Sequence, residues 1–137
     1  MNYLLDTNVC IALLNEQDEE VRKKFEQAIQ SGHTIHVSAI VLFELWYGVG
    51  KGSRTERNRN MLLKFLSPSL SAVSFDAEDA EIAGMQRAAL EKVGRPIGPY
   101  DLLIAGQALR RNWTLVTANV SEFSRIKGLT WEDWSRG

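Results

Sequence analysis

Apolar residues in this chain fall into short runs that end at polar turns, and into stripes of helical spacing between them. Tyr3-Leu4-Leu5 is such a run, and it stops at Asp6. A short apolar run bounded by polar residues suits a buried strand. Thr7 and Asn8 follow, and a second apolar run from Val9 to Leu14 reads as a helix with Asn8 as its expected cap. Glu16 to Glu20 marks a turn and an acidic helix start, favoured by the helix dipole. Val21, Phe25, Ala28 and Ile29 then recur at helical spacing until Ser31-Gly32. Thr34 to Val37 predicts a second strand, with Ser38 capping a strongly apolar helix from Ala39 to Tyr47.

Gly48 to Ser53 reads as a flexible break, and Thr55 to Leu66 as a helix with Met61, Leu62, Phe65 and Leu66 inward, ended by Pro68. Ser71 to Phe75 is a third strand. Asp76 opens a long helix through Ile82, Met85, Ala89 and Leu90, which Gly94 closes. A rigid loop, Arg95-Pro96-Ile97-Gly98-Pro99, leads to Asp101 and an apolar helix through Leu109. Thr114 to Thr117 is a fourth strand, Ser121 to Ile126 a short helix, and Leu129 to Trp131 an edge strand. Strands alternating with helices imply βαβ units. The expectation is one α/β domain over residues 1–137, three layers α/β/α around a mainly parallel sheet.

Composition narrows the picture. The 137 residues suit one core, and 45% hydrophobic with 24% charged residues is an ordinary globular profile. The net charge of −1 gives no global attraction for nucleic acid, so any such site must rest on a local patch. Cys10 is the single cysteine and sits in an apolar run, so no disulfide forms within the chain. With no basic N-terminal region and no apolar run of membrane-spanning length, a cytoplasmic protein without a membrane partner is expected. His33 and His36 lack the thiol partners of a usual zinc site and read as ordinary strand-edge residues.

Four polar residues then stand out. Asp6 lies where a strand gives way to a helix, either as a capping residue or as an oxygen ligand. Glu44 interrupts Ile40 to Tyr47, a segment apolar all round and so expected to be buried. A carboxylate there needs a cation or hydrogen-bond donors, and a metal or an arginine would serve equally. Asp101 starts an apolar helix behind a rigid loop, and Asn119 follows the last strand, with Glu122 close by. Oxygen ligands without thiols or paired histidines select Mg²⁺ or Mn²⁺, which supports metal-assisted chemistry at phosphorus. A phosphatase with Asp6 as nucleophile would want a second carboxylate two residues on, where the chain has Asn8. Gly48 to Ser53 lacks the spacing of a phosphate loop and follows a helix.

These segments together, Leu5-Asp6-Thr7-Asn8, Ser38-Ala39-Ile40 with Phe43-Glu44-Leu45-Trp46-Tyr47-Gly48, Gly98-Pro99-Tyr100-Asp101-Leu102 and Thr117-Ala118-Asn119-Val120-Ser121-Glu122, resemble a PIN domain. More narrowly the chain looks like a VapC-type toxin of a bacterial type II toxin–antitoxin module, over nearly its whole length. The resemblance implies a Mg²⁺- or Mn²⁺-dependent endoribonuclease. Asp6, Glu44 and Asp101 would be its metal-binding acids, Thr7 and Ser38 supporting hydroxyls. Asn119 would be a fourth site residue at a place where relatives carry Asp or Asn, and Glu122 a supporting acid. It further implies cleavage of structured RNA, with initiator tRNA the favoured substrate, a homodimer, and a cognate antitoxin docking on Val41 to Tyr47 and Met61 to Leu66. Lys51, Arg54 and Arg57 form a local basic segment expected to contact RNA phosphates. The alternative is a catalytically weak PIN-like RNA-binding or scaffold protein.

Overall fold

A computed structural model describes residues 1–66 and 68–136, so the expected span of 1–137 includes two positions outside the described set. The elements run β1 (Asn2–Leu5), α1 (Thr7–Leu14), α2 (Glu19–Gln30), β2 (Thr34–Ser38), α3 (Ala39–Lys51), α4 (Thr55–Leu66), β3 (Leu70–Val73), α5 (Ala77–Lys92), α6 (Pro99–Arg111), β4 (Thr114–Val116), α7 (Val120–Phe123) and β5 (Trp131–Glu132). All five strands pair in parallel, in the order β3-β2-β1-β4-β5. This is the expected α/β architecture. Leu4 and Leu5 point to opposite faces of β1 and are both fully buried, as a parallel sheet covered on both faces requires.

Right-handed crossovers put α1 to α4 on one face and α5 to α7 on the other. Val9, Val41, Leu45, Val49 and Leu62 fill the first layer; Ala83, Leu90, Ile104, Ala105 and Ala108 fill the second. Burying each Leu or Ile of this core contributes about 1.5–3 kcal/mol. The second layer is held at one end by Asp79, fully buried, which accepts from Arg110 at 3.0 Å and Arg111 at 3.1 Å. No helix among the described residues is long and apolar enough to cross a membrane.

Several local expectations are corrected. Asp6, not Asn8, caps α1: its side chain accepts from the Val9 amide at 2.9 Å, while Asn8 lies exposed in the first turn. The break expected over Gly48 to Ser53 starts later, because α3 continues to Lys51 and is capped at Gly52. Adding a Cβ at Gly48 or Gly50 would meet nothing within 4 Å, so neither glycine marks a close approach. Met61 is exposed rather than inward, the buried residue of its helix being Leu62; on α5 the buried stripe runs through Asp79, Ala83 and Leu90, and Met85 is exposed. Nor is α3 buried all round. Val41, Leu45 and Val49 are buried and Ile40 and Leu42 pack partly against the core, while Phe43, Trp46 and Tyr47 are exposed.

The strand order fixes where a site can form. From β1 the chain moves outward through β2 to β3, then returns past β1 to β4. In open α/β sheets the crevice at such a reversal, outside the carboxyl ends of the strands, is where ligands bind. Here it lies between β1 and β4.

Candidate active site

Asp6 ends β1 on one side of that crevice. Its backbone N–H donates to Val116 of β4 at 3.1 Å, which draws the two strand ends together. The carboxylate is 3% exposed. Burial pushes its pKa up, the Thr117 hydroxyl and the Val9 N–H oppose this, and the charges of Glu44 and Asp133 add to the rise. A single oxygen satisfies the helix cap, so capping and ligation are compatible roles for Asp6.

Glu44 projects from the second turn of α3 into the same opening. Its partner is Thr7, whose Oγ1 donates to Glu44 Oε1 at 2.7 Å. Among the described residues, none of Asp6, Glu44, Asp101 or Glu122 forms a salt bridge with a lysine or arginine. The arginine partner considered for Glu44 is therefore not there.

Asp101 arrives from the opposite layer. Gly98 caps α6 and Pro99 takes its first position, where a missing N–H costs nothing. Asp101 then falls in the first turn, favoured by the helix dipole. Gly98 is closely approached: a Cβ there would lie 3.3 Å from Asp101 Oδ2, a tight contact that would press on that carboxylate, and 3.8 Å from Glu122 Oε1. Glu122 holds this corner together. It accepts from the Gly98 N–H at 2.9 Å and from the Asn119 side-chain amide, and it bonds to Asp101. Burial, the bond to Glu122 and the charges of Glu122, Asp6 and Glu44 lift the pKa of Asp101 to about 7. The Gly98 N–H, helped by Asn119, holds Glu122 below its ordinary value.

Asp6, Thr7, Glu44, Lys51 and Asp101 line one open cleft of about 690 Å³, with Phe43, Tyr47 and Tyr100 along its wall. Asn119 and Glu122 stand behind Asp101 rather than in the cleft lining. Ser38 is fully buried, and its Oγ accepts from the Ile40 N–H at 3.1 Å, so it caps α3 and does not line the cleft. Arg54 and Arg57 are exposed but outside the cleft; Lys51 alone of the basic segment enters it. The sequence did not single out Thr117. Its hydroxyl is buried, bonds to Asp6 and accepts from the Asn119 N–H at 2.9 Å. The signal was its position at the end of the last inner strand, two residues before Asn119.

Three uncompensated carboxylates from β1, α3 and α6 around one opening make an oxygen donor set suited to a hard divalent cation. Among the described residues no three acidic, histidine or cysteine side chains already close at ligand distance around one point. An open set fits Mg²⁺, which binds through one or two carboxylates and keeps several waters. Burial first, and then the neighbouring carboxylate charges, raise the pKa values of Asp6 and Asp101, and a bound cation would oppose both effects.

A family model described as "PIN domain" matches residues 3–129. The chain belongs to the PIN-domain family. This PIN domain is also 41% identical over 136 residues to ribonuclease VapC2 of Rickettsia felis, covering 99% of this chain and all of that one. It is 38% identical over 135 residues to the tRNA(fMet)-specific endonuclease VapC of Shigella flexneri, covering 98% and 99% of the two chains. Among solved structures, Rickettsia felis VapBC2 bound to a DNA fragment from its promoter superposes with a TM-score of 0.92 at 41% identity, over 98% of this chain and 99% of that one. Within the PIN domains, the chain is therefore a member of the VapC ribonucleases.

Proposed function

We propose that the protein is the toxin of a toxin–antitoxin pair, hydrolysing RNA phosphodiester bonds with Mg²⁺ or Mn²⁺ held by Asp6, Glu44 and Asp101. The observation that carries this reading is the convergence of these carboxylates on one cleft with none of them, among the described residues, in a salt bridge with a lysine or arginine. When bound, the cation would supply Lewis acidity and lower the pKa of water, producing a nucleophile at neutral pH. The chain's own residues provide alignment. Thr7 holds Glu44. Thr117 and the Val9 amide hold Asp6. Glu122, tied to Gly98 and Asn119, orients Asp101. Lys51 at the cleft rim, with Arg54 and Arg57 beyond it, would contact the RNA backbone.

The Shigella flexneri relative is named for tRNA(fMet), and initiator tRNA is the substrate we propose here. A cognate antitoxin is the proposed partner, in keeping with the VapBC2 structure the chain resembles, and a homodimer is the proposed assembly.

The test is cleavage of total tRNA by the partner-free protein in Mg²⁺, compared with chelator and with Asp6→Ala and Asp101→Ala. The expected result is cleavage in Mg²⁺ alone, reduced at least about a hundredfold in each control, the scale of losing electrostatic stabilisation at a reacting phosphate. Cleavage persisting in chelator or in either variant would remove the metal-acid mechanism. No cleavage under any condition would favour a weakly active RNA-binding or scaffold protein.

A further inference from the structure

Exposed aromatic side chains run along the wall of the acidic cleft. Phe43 and Tyr47, four residues apart, share one face of α3 and are 56% and 61% exposed. Tyr100, 46% exposed, reaches across from the first turn of α6, and its ring centroid lies 5.8 Å from that of Phe43. Lys51, four residues beyond Tyr47, sets its ammonium 5.7 Å from the Tyr47 ring centroid. All four line the opening that contains Asp6, Glu44 and Asp101. The row is therefore aromatic, open, and continuous with the acids.

We propose that Phe43, Tyr47 and Tyr100 form a stacking platform for unpaired bases beside the phosphodiester held at the acids, and so determine specificity. This rests on the ribonuclease reading above. Charge contributes little to seating RNA beyond the scissile phosphate, since the net charge of the chain is −1 and Lys51 is, among the described residues, the one basic side chain lining the cleft. Neutral contacts must supply the missing affinity at this point. Aromatic faces do so, since every base has a π-face and stacks with little regard to its identity. Bases inside a double helix are covered on both faces; only unpaired nucleotides can offer one. The platform thus selects for loops through the shape of the RNA. Lys51 closes the row with the one cation that a neighbouring phosphate needs.

A protein partner has a better-suited surface alongside. Ile11, Leu14, Leu45, Val49, Met61 and Leu62 line a mainly aliphatic hollow of about 260 Å³ between α1, α3 and α4, to which Asn15, Glu44 and Asn58 also contribute. Aliphatic hollows accept side chains of a partner, whereas flat rings next to reacting acids accept bases.

The experiment uses the full chain and an RNA stem-loop carrying the mapped cleavage site, prepared with a normal nucleotide, an abasic site or 2-aminopurine next to the cut. Phe43→Leu, Tyr47→Leu and Tyr100→Leu remove the ring face and keep apolar bulk; Tyr47→Phe and Tyr100→Phe keep the face. The leucine variants are expected to raise KM about tenfold each with kcat nearly unchanged, and the phenylalanine variants to behave as wild type. The abasic site is expected to cost the wild type about tenfold and the leucine variants nothing further. Aminopurine fluorescence, read in the non-cleaving Asp101→Asn background, is expected to be quenched on binding only when the rings are present. Leucine variants that lose as much on the abasic RNA as the wild type does, or that retain the quench, overturn the platform. Variants with unchanged RNA parameters but weakened antitoxin binding overturn it too, and make the row a protein-docking surface. A wild type that cleaves no RNA overturns the ribonuclease reading instead, and the quench, which needs no cleavage, then decides the platform by itself.

Discussion

Thr7 and Glu122 show how single side chains hold the acids in place without lying at the centre of the cleft. The bond from Thr7 to Glu44 spans two helices and has a charged acceptor, a type that contributes about 1.5–3 kcal/mol. Thr7→Val is expected to lower kcat/KM about tenfold by releasing Glu44, and to lower the thermal midpoint by several degrees through the lost bond. Steady-state kinetics beside a thermal melt checks both halves. Asp101 behaves differently because burial, and then Glu122, Asp6 and Glu44, oppose its ionisation. In chelator, Asp101→Asn should raise the melting temperature while abolishing cleavage in Mg²⁺; a lower melting temperature would mean that the repulsion is already relieved within the protein. Asp6, Glu44 and Asp101 were legible from the sequence as misplaced carboxylates. Thr117 was not, because a threonine at a strand end has nothing unusual about it until Asp6 lies across from it.

At the scale of elements, α3 departs furthest from its reading. Its sequence is apolar on every face, which predicts burial, yet Phe43, Trp46 and Tyr47 stay exposed while Val41, Leu45 and Val49, with half-buried Ile40 and Leu42, pack on the core. Periodicity cannot separate an apolar face turned to the core from one kept for a ligand; both are written in the same residue types. The contact between α5 and α6 is set by close approach. A Cβ at Gly106 would meet Ala83 Cβ at 2.6 Å, so Gly106→Ala should destabilise the fold by about 1–3 kcal/mol through overpacking. Gly84, in α5, has nothing within 4 Å of the same added atom, and Gly84→Ala should stabilise by about 0.4–1 kcal/mol. Chemical denaturation of the pair reads both signs in one experiment.

For the whole molecule, the pole of the sheet away from the acids carries its own pH dependence. His36 of β2 is 8% exposed, stacked on Trp113 with ring centroids 3.8 Å apart and bonded to Asn2 at 2.9 Å. Burial, then the charge of Arg111, lowers its pKa below the ordinary 6.5. The unfolded chain takes up this proton near 6.5 and the folded chain resists it, so stability is expected to fall as pH drops from about 7 to about 5. The loss levels off once folded His36 also protonates. Thermal midpoints across that window test it, and His36→Gln should flatten the slope attributable to this group. The expectation of ordinary strand-edge histidines therefore fails for His36, whose ring is part of the packing.

The order of strands and helices, the boundaries of α4, the cap at Ser38, the turn at Gly94 and the three candidate acids follow from the sequence alone. Each depends on local rules: period of apolar residues, capping chemistry, and the cost of a carboxylate among apolar neighbours. Tertiary structure decided what is non-local. The strand order placed Asp6 beside Thr117, the crossing of α3 over α1 gave Glu44 to Thr7 rather than to an arginine, and the Gly98 corner paired Asp101 with Glu122. These partners lie many residues apart in the chain, and only packing around a common core brings them within hydrogen-bond distance.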